Sequence, residues 1–158
     1  MIDTGVVPDL ITLLDHPSLK IVVPCLRTIG NIATGNDKQT QVLLSYANLV
    51  GVLIKLSQHE KKNIRKEALW TLSNITAGNT EQMELVISSA YNIQTIIKAV
   101  VSDETDVSRE GVWALANACS GGTKHQIQRL VDEGVIECFG AKLDSPDVKT
   151  IEIALEGL

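Results

Sequence analysis

Two tryptophans, Trp70 and Trp113, each stand three residues after a glutamate (Glu67, Glu110) and four before an asparagine (Asn74, Asn117). With Asn63 and Asp106 four residues further upstream, two sets emerge: Asn63, Glu67, Trp70, Asn74 and Asp106, Glu110, Trp113, Asn117. Spacings of four, three and four put each set on one face of a helix. An asparagine amide can pair with both the N–H and the C=O of an extended peptide, so a row of them reads backbone rather than side chains. A slot walled by indole faces accepts the stem and ammonium of a lysine, at roughly 0.5–2 kcal/mol per contact. Glu67, Glu110 and Asp106 add attraction for the same cation. The plainer alternative is that these residues only pack. A lone tryptophan–asparagine pair suits that alternative equally well. Its recurrence with acids one turn earlier favours a shared task. A third set, Lys20, Pro24, Arg27 and Asn31, keeps only the asparagine.

Nothing comparable points to catalysis. His16, His59 and His125 are scattered and lack the companions of a metal site. Cys25, Cys119 and Cys138 form no CxxC pair and read as buried thiols. Gly121-Gly122-Thr123-Lys124 lacks phosphate-loop spacing and reads as a turn. Asn74-Ile75-Thr76 matches a glycosylation acceptor but falls within a helix. Lys61, Lys62, Arg65 and Lys66 read as a solvated helix start rather than a nucleic-acid contact. A net charge of −5 disfavours a general nucleic-acid binder and suits a cationic partner. No apolar run is long enough to span a membrane, and no leader pattern follows Met1. Ile2-Asp3-Thr4-Gly5 reads as the interior of a longer array. No cofactor and no metal are expected.

The elements that must carry the stripe follow from internal repetition. Cys25–Gly35, Leu69–Gly78 and Val112–Gly121 align, with Asn31, Asn74 and Asn117 spaced by 43 residues. Gly134-Val135-Ile136 through Asp144-Ser145-Pro146 restates Gly5-Val6-Val7 through Asp15-His16-Pro17. A period of this size lies in the ~40–47 range of helical armadillo and HEAT repeats. Leu10-Ile11, Leu13-Leu14, Leu53-Ile54 and Leu56 are apolar at helical spacing. Ile64, Ala68, Leu72 and Ile75 form the face to be buried under the second stripe. Each long helix ends at a glycine suited to a left-handed cap. No segment alternates as a strand would. The expected fold is all-α: a right-handed superhelical solenoid of about three and a half repeats, in one unit over 1–158. The repeats fall at roughly 4–46, 47–89, 90–133 and a partial 134–158. Each buries its apolar face only against its neighbours.

Arg65-Lys66-Glu67-Ala68-Leu69-Trp70-Thr71-Leu72-Ser73-Asn74-Ile75-Thr76-Ala77-Gly78 closely resembles the third-helix motif of the importin-alpha (karyopherin-alpha) family. So does Leu26–Gly35, including Arg27 where tryptophan otherwise stands. The resemblance implies an armadillo adaptor for nuclear import, present in cytoplasm and nucleus. Its groove binds lysine- and arginine-rich localisation signals, and this stretch matches the minor signal site. It implies that Asn31, Asn74 and Asn117 hold the peptide backbone, that Trp70 and Trp113 wall lysine slots, and that Glu110 pairs with a basic side chain. It further implies polar contacts from Asn63, Ser73 and Thr40, and a pocket floor from the Thr34–Gly35 backbone. Arg27 should repel a basic residue or pair with a local acid. The family's segments for importin-beta and for its export receptor have no counterpart in this sequence. Gly111 and Val112 stand where the family carries small alanines, which suggests a looser third helix. The competing expectation is an armadillo scaffold for other extended peptides.

Overall fold

A computed structural model describes residues 5–46 and 48–158. Residue 4 and residue 47, where the first two repeats are expected to begin, lie outside the described residues, as does most of Ile2–Gly5. The division into repeats remains a proposal.

Eleven helices run through the described residues, with no strand among them. They are α1 (Val7–Leu13), α2 (Leu19–Ala33), α3 (Asp37–Leu44), α4 (Leu49–Leu56), α5 (Lys62–Thr76) and α6 (Thr80–Ile87). Then follow α7 (Ala90–Ser102), α8 (Thr105–Gly121), α9 (Lys124–Asp132), α10 (Val135–Gly140) and α11 (Val148–Gly157). Long helices α2, α5, α8 and α11 recur in the repeat phase and stack side by side, α2 on α5, α5 on α8, and α8 on α11. The result is a right-handed armadillo solenoid of about three and a half repeats. Ile64, Ala68, Leu72 and Ile75 are all buried, as the pattern of α5 requires. One continuous apolar core runs from Val7 to Ala154.

Repetition extends to the polar groups. At the start of α3, Asn36 and Gln39 cap one another reciprocally, and Asn79/Gln82 and Thr123/Gln126 do so at α6 and α9. Each such capping box satisfies two otherwise orphaned backbone N–H groups. The glutamines also reach back one repeat. Gln82 Nε2 donates to the Asp37 carbonyl at 2.8 Å, and Gln126 Nε2 to that of Thr80 at 2.9 Å.

These boxes correct the expectation for the glycines. Gly35, Gly78 and Gly121 are not left-handed caps; positive φ occurs only at Gly5 and Gly134 among the described residues. At Gly35 and Gly78 a Cβ would overlap the capping glutamine, Gln39 or Gln82. A larger residue there would have to displace the glutamine amide from its capping box. Gly111 has a packing role. It is buried mid-helix, and a Cβ would stand 2.7 Å from Val100 Cγ2. The missing side chain lets α7 pack closely on α8.

The basic run at the start of α5 is not simply solvated. Arg65 grips Asp103 through Nε (2.5 Å) and Nη2 (2.7 Å) and donates to the carbonyls of His59 and Glu60. Lys62 sits 2.9 Å from both Glu104 and Asp106. One repeat later Arg109 pairs with Asp147 at 3.1 Å. Basic side chains opening one long helix thus latch onto acids preceding or opening the next.

Candidate peptide-binding groove

Stacking of the long helices brings their stripes together. Arg27, Asn31, Lys66, Glu67, Trp70 and Glu110, from α2, α5 and α8, line an open cavity of about 300 Å³. A second cavity of about 210 Å³ lies further along the same α2–α5 seam, lined by Thr34, Gly35, Asp37, Thr40, Asn74 and Gly78, among others.

The indole of Trp70 stands where it does because Gly30 leaves room for it. A Cβ at Gly30 would overlap Trp70 Cζ3 and lie 2.8 Å from Cε3. Trp70 is half-buried and walls the first cavity. Glu67 is already taken, because Arg27 forms an ion pair with it across the repeat boundary. Arg27 therefore pairs with a local acid, one of the two outcomes foreseen, and Glu67 offers little free charge. Asp106 is similarly committed to Lys62 at 2.9 Å and Lys66 at 3.8 Å. Those pairs, led by the Lys62 hydrogen bond, hold its carboxyl below the usual range.

Glu110 differs. It makes no ion pair or hydrogen bond among the described residues, yet it lines the cavity beside Trp70. Burial pushes its carboxyl up, against weaker pulls from Lys66 and Arg109. Its carboxylate is partly desolvated and forms no ion pair, although Lys66 lines the same cavity and attracts it from a distance.

The asparagines have an internal role that spacing does not disclose. Asn74 Nδ2 reaches the Gly30 carbonyl at 3.5 Å, and Asn117 Nδ2 donates to the Ser73 carbonyl at 3.0 Å. Each ties its helix to the preceding long helix, which itself explains a recurring asparagine. One amide N–H and the carbonyl oxygen remain for a ligand. Asn31 is exposed.

Ser73 is expected to add a polar contact. It is buried, and its hydroxyl donates to the Trp70 carbonyl at 2.8 Å. Thr40 is buried as well, bonded to the Ala33 carbonyl at 3.3 Å, although it lines the second cavity with Thr34 and Gly35. Asn63 is exposed, outside the residues lining either cavity. Trp113 is half-buried and does not line the first cavity; Lys149 Nζ stands over its ring, 5.7 Å from the centroid. Asp37, an exposed acid in the second cavity, escaped the sequence analysis because it lies outside the helical stripe.

Among the described residues no group of three or more histidine, cysteine, aspartate or glutamate side chains could hold a metal. Burial pushes the Cys119 and Cys138 thiols up to about 11, far from the range of reactive thiolates. No single described helix is long and apolar enough to cross a membrane.

A family profile, the Armadillo/beta-catenin-like repeat, matches residues 1–34 and 36–77. Importin subunit alpha-1b of Oryza sativa subsp. japonica is 49% identical over 49 residues, 31% of this chain and 9% of that protein. Importin subunit alpha-3 of Arabidopsis thaliana is 59% identical over 44 residues, 28% of this chain and 8% of that protein. The matched stretch is thus less than a tenth of these relatives' length. Among solved structures, a designed armadillo repeat protein in complex with the peptide (KR)4 superposes with a TM-score of 0.92 and 33% identity. The match covers 99% of this chain and 64% of that one. A computationally designed armadillo repeat protein for modular peptide recognition gives 0.91 at 30% identity, with the same coverage. The solenoid, the family profile and the solved structures agree on an armadillo-repeat architecture, and over its matched stretches the chain is similar to importin alpha subunits.

Proposed function

We propose that the groove across α2, α5 and α8 binds extended lysine- and arginine-rich segments of the nuclear-localisation-signal kind. The observation that carries this is Glu110: a half-buried carboxylate without a partner cation, at the mouth of a cavity walled by Trp70. A lysine stem lies along the indole while its ammonium reaches Glu110. The second cavity, with Asp37, Thr34 and Gly35, takes a neighbouring basic side chain. Successive side chains of an extended strand point to opposite sides, and Asn31 lines the first cavity while Asn74 lines the second. Asn31, Asn74 and Asn117 hold the peptide backbone with the amide capacity left over from their internal bonds. A neighbour of this fold solved in complex with the peptide (KR)4 supports the same polarity of recognition.

By similarity to the importin alpha subunits, the whole protein serves as an import adaptor moving between cytoplasm and nucleus, with importin-beta and an export receptor as further partners. Titration with a short Lys-Lys-x-Lys peptide tests the groove. Saturable binding, with none to a scrambled acidic control, is expected. Equal binding of both peptides would instead favour a scaffold for other extended ligands.

A further inference from the structure

The seam between α8 and α11 repeats the geometry of the α5–α8 seam but reverses its chemistry. Asp106 and Lys149 occupy the same place in the repeat, 43 residues apart. The acid that pairs with Lys62 and Lys66 on α5 thus gives way to a cation that stands over Trp113. Glu110 has its counterpart at Ile153, which is buried. The stripe of α11 therefore offers no carboxylate in the place that makes the first cavity cation-seeking. Lys149 itself lies where a ligand cation would go. Its ammonium is over the Trp113 ring at 5.7 Å and is held there by Glu152 at 2.9 Å. Glu156 adds attraction from the next turn.

We propose that Lys149 is a specificity-determining residue: it fills the cation site on the Trp113 indole and so ends the run of basic side chains the groove can accept. This rests on the peptide-binding function proposed above and defines its boundary. A ligand lysine bound at Trp70 and Glu110 is accommodated. A second lysine two residues along faces the same wall and meets an indole already covered by a like charge. Without the Lys149 ammonium, the Trp113 face opens, with Glu152 and Glu156 left uncompensated beside it.

The test compares two peptides on the parent protein and on Lys149→Ala and Lys149→Arg. The short peptide carries one basic cluster; the long one extends it by Lys-x-Lys. The readout is the ratio of long to short affinity. That ratio should rise about fivefold in Lys149→Ala, the range of one cation–π contact, and stay at the parent value in Lys149→Arg, which keeps a cation on the indole. In the parent, NMR should show the Lys149 ε-protons shifted upfield by the Trp113 ring current. An unchanged ratio in Lys149→Ala, with the short peptide still bound, overturns the inference alone. Failure of every protein to bind either peptide overturns the peptide-groove function and the inference with it. Circular dichroism confirms that each variant is folded.

Discussion

Replacing Glu110 by glutamine should separate binding from stability, moving them in opposite directions. In the free protein the carboxylate is half-buried with no partner, and burial raises its pKa. The folded state therefore holds this proton more tightly than the unfolded chain, whose glutamate titrates near ~4.3. It follows that the group favours folding most at low pH, and that this advantage is lost as pH rises through the folded pKa. At neutral pH the charge is a burden, and Glu110→Gln should leave the melting temperature equal or higher. The peptide-bound state is the reverse. An ammonium ~4 Å from the carboxylate attracts it by about 4 kcal/mol at an effective dielectric near 20. Desolvating the lysine and ordering its side chain offset much of that, leaving about 1–2 kcal/mol, or roughly 5–30-fold in affinity. Binding to the parent should weaken in mild acid, as Glu110 takes up its proton, and should release protons when measured near that pKa. Glu110→Gln should lose that pH dependence. Calorimetric titration between pH 4.5 and 7.5, with thermal melts of both proteins, checks all of it. A variant that binds as tightly as the parent, or that is clearly destabilised, refutes the argument.

Further perturbations address the scaffold that holds the cavity. Gly30→Ala pushes a methyl into the Trp70 indole and should cost about 1–3 kcal/mol in urea unfolding, with weaker peptide binding because the wall moves. Trp70→Ala should weaken the peptide by about 1–2 kcal/mol in a titration. Asn117→Ala breaks the 3.0 Å bond to the Ser73 carbonyl and should lower stability by about 1 kcal/mol even without ligand; Asn74→Ala, with a longer internal bond, should lose less. Arg65→Ala strands Asp103, whose burial pushes its carboxyl up but whose hydrogen bonds from Arg65 and the Glu104 N–H, with the Arg65 charge, together hold it low. The loss should be about 2 kcal/mol at pH 7. It should fade in acid melts as pH falls through the folded pKa of Asp103, because a depressed carboxylate contributes only above it.

Much of the fold was legible because the repeat phase constrains it several times over. Asn31, Asn74 and Asn117 locate equivalent turns of three helices, and the apolar face under Trp70 follows from helical spacing alone. What stayed hidden depends on neighbours across a repeat boundary. Glu67, Asp106 and Glu110 look alike in sequence, yet only Glu110 lacks a cation, since Arg27 and Lys62 reach the others from adjacent helices. Gly35 and Gly78 looked like caps because glycine permits positive φ; they serve instead as clearance for Gln39 and Gln82. The asparagine ladder suggested a ligand because asparagine is not an ordinary packing residue. Its bonds to carbonyls of the previous helix give it a second task that spacing cannot reveal. Lys149 was invisible as an occupant of Trp113 because Glu156 stands where α5 and α8 carry the tryptophan that marks the stripe.

The most direct measurement of the central claim is a crystal structure of the chain with a bound Lys-Lys-x-Lys peptide. The account predicts an extended peptide along α2, α5 and α8, one lysine stem against the Trp70 indole, and its ammonium within ~4 Å of the Glu110 carboxylate. A peptide bound elsewhere on the solenoid, or one in this groove with Glu110 still lacking a cation, would contradict it.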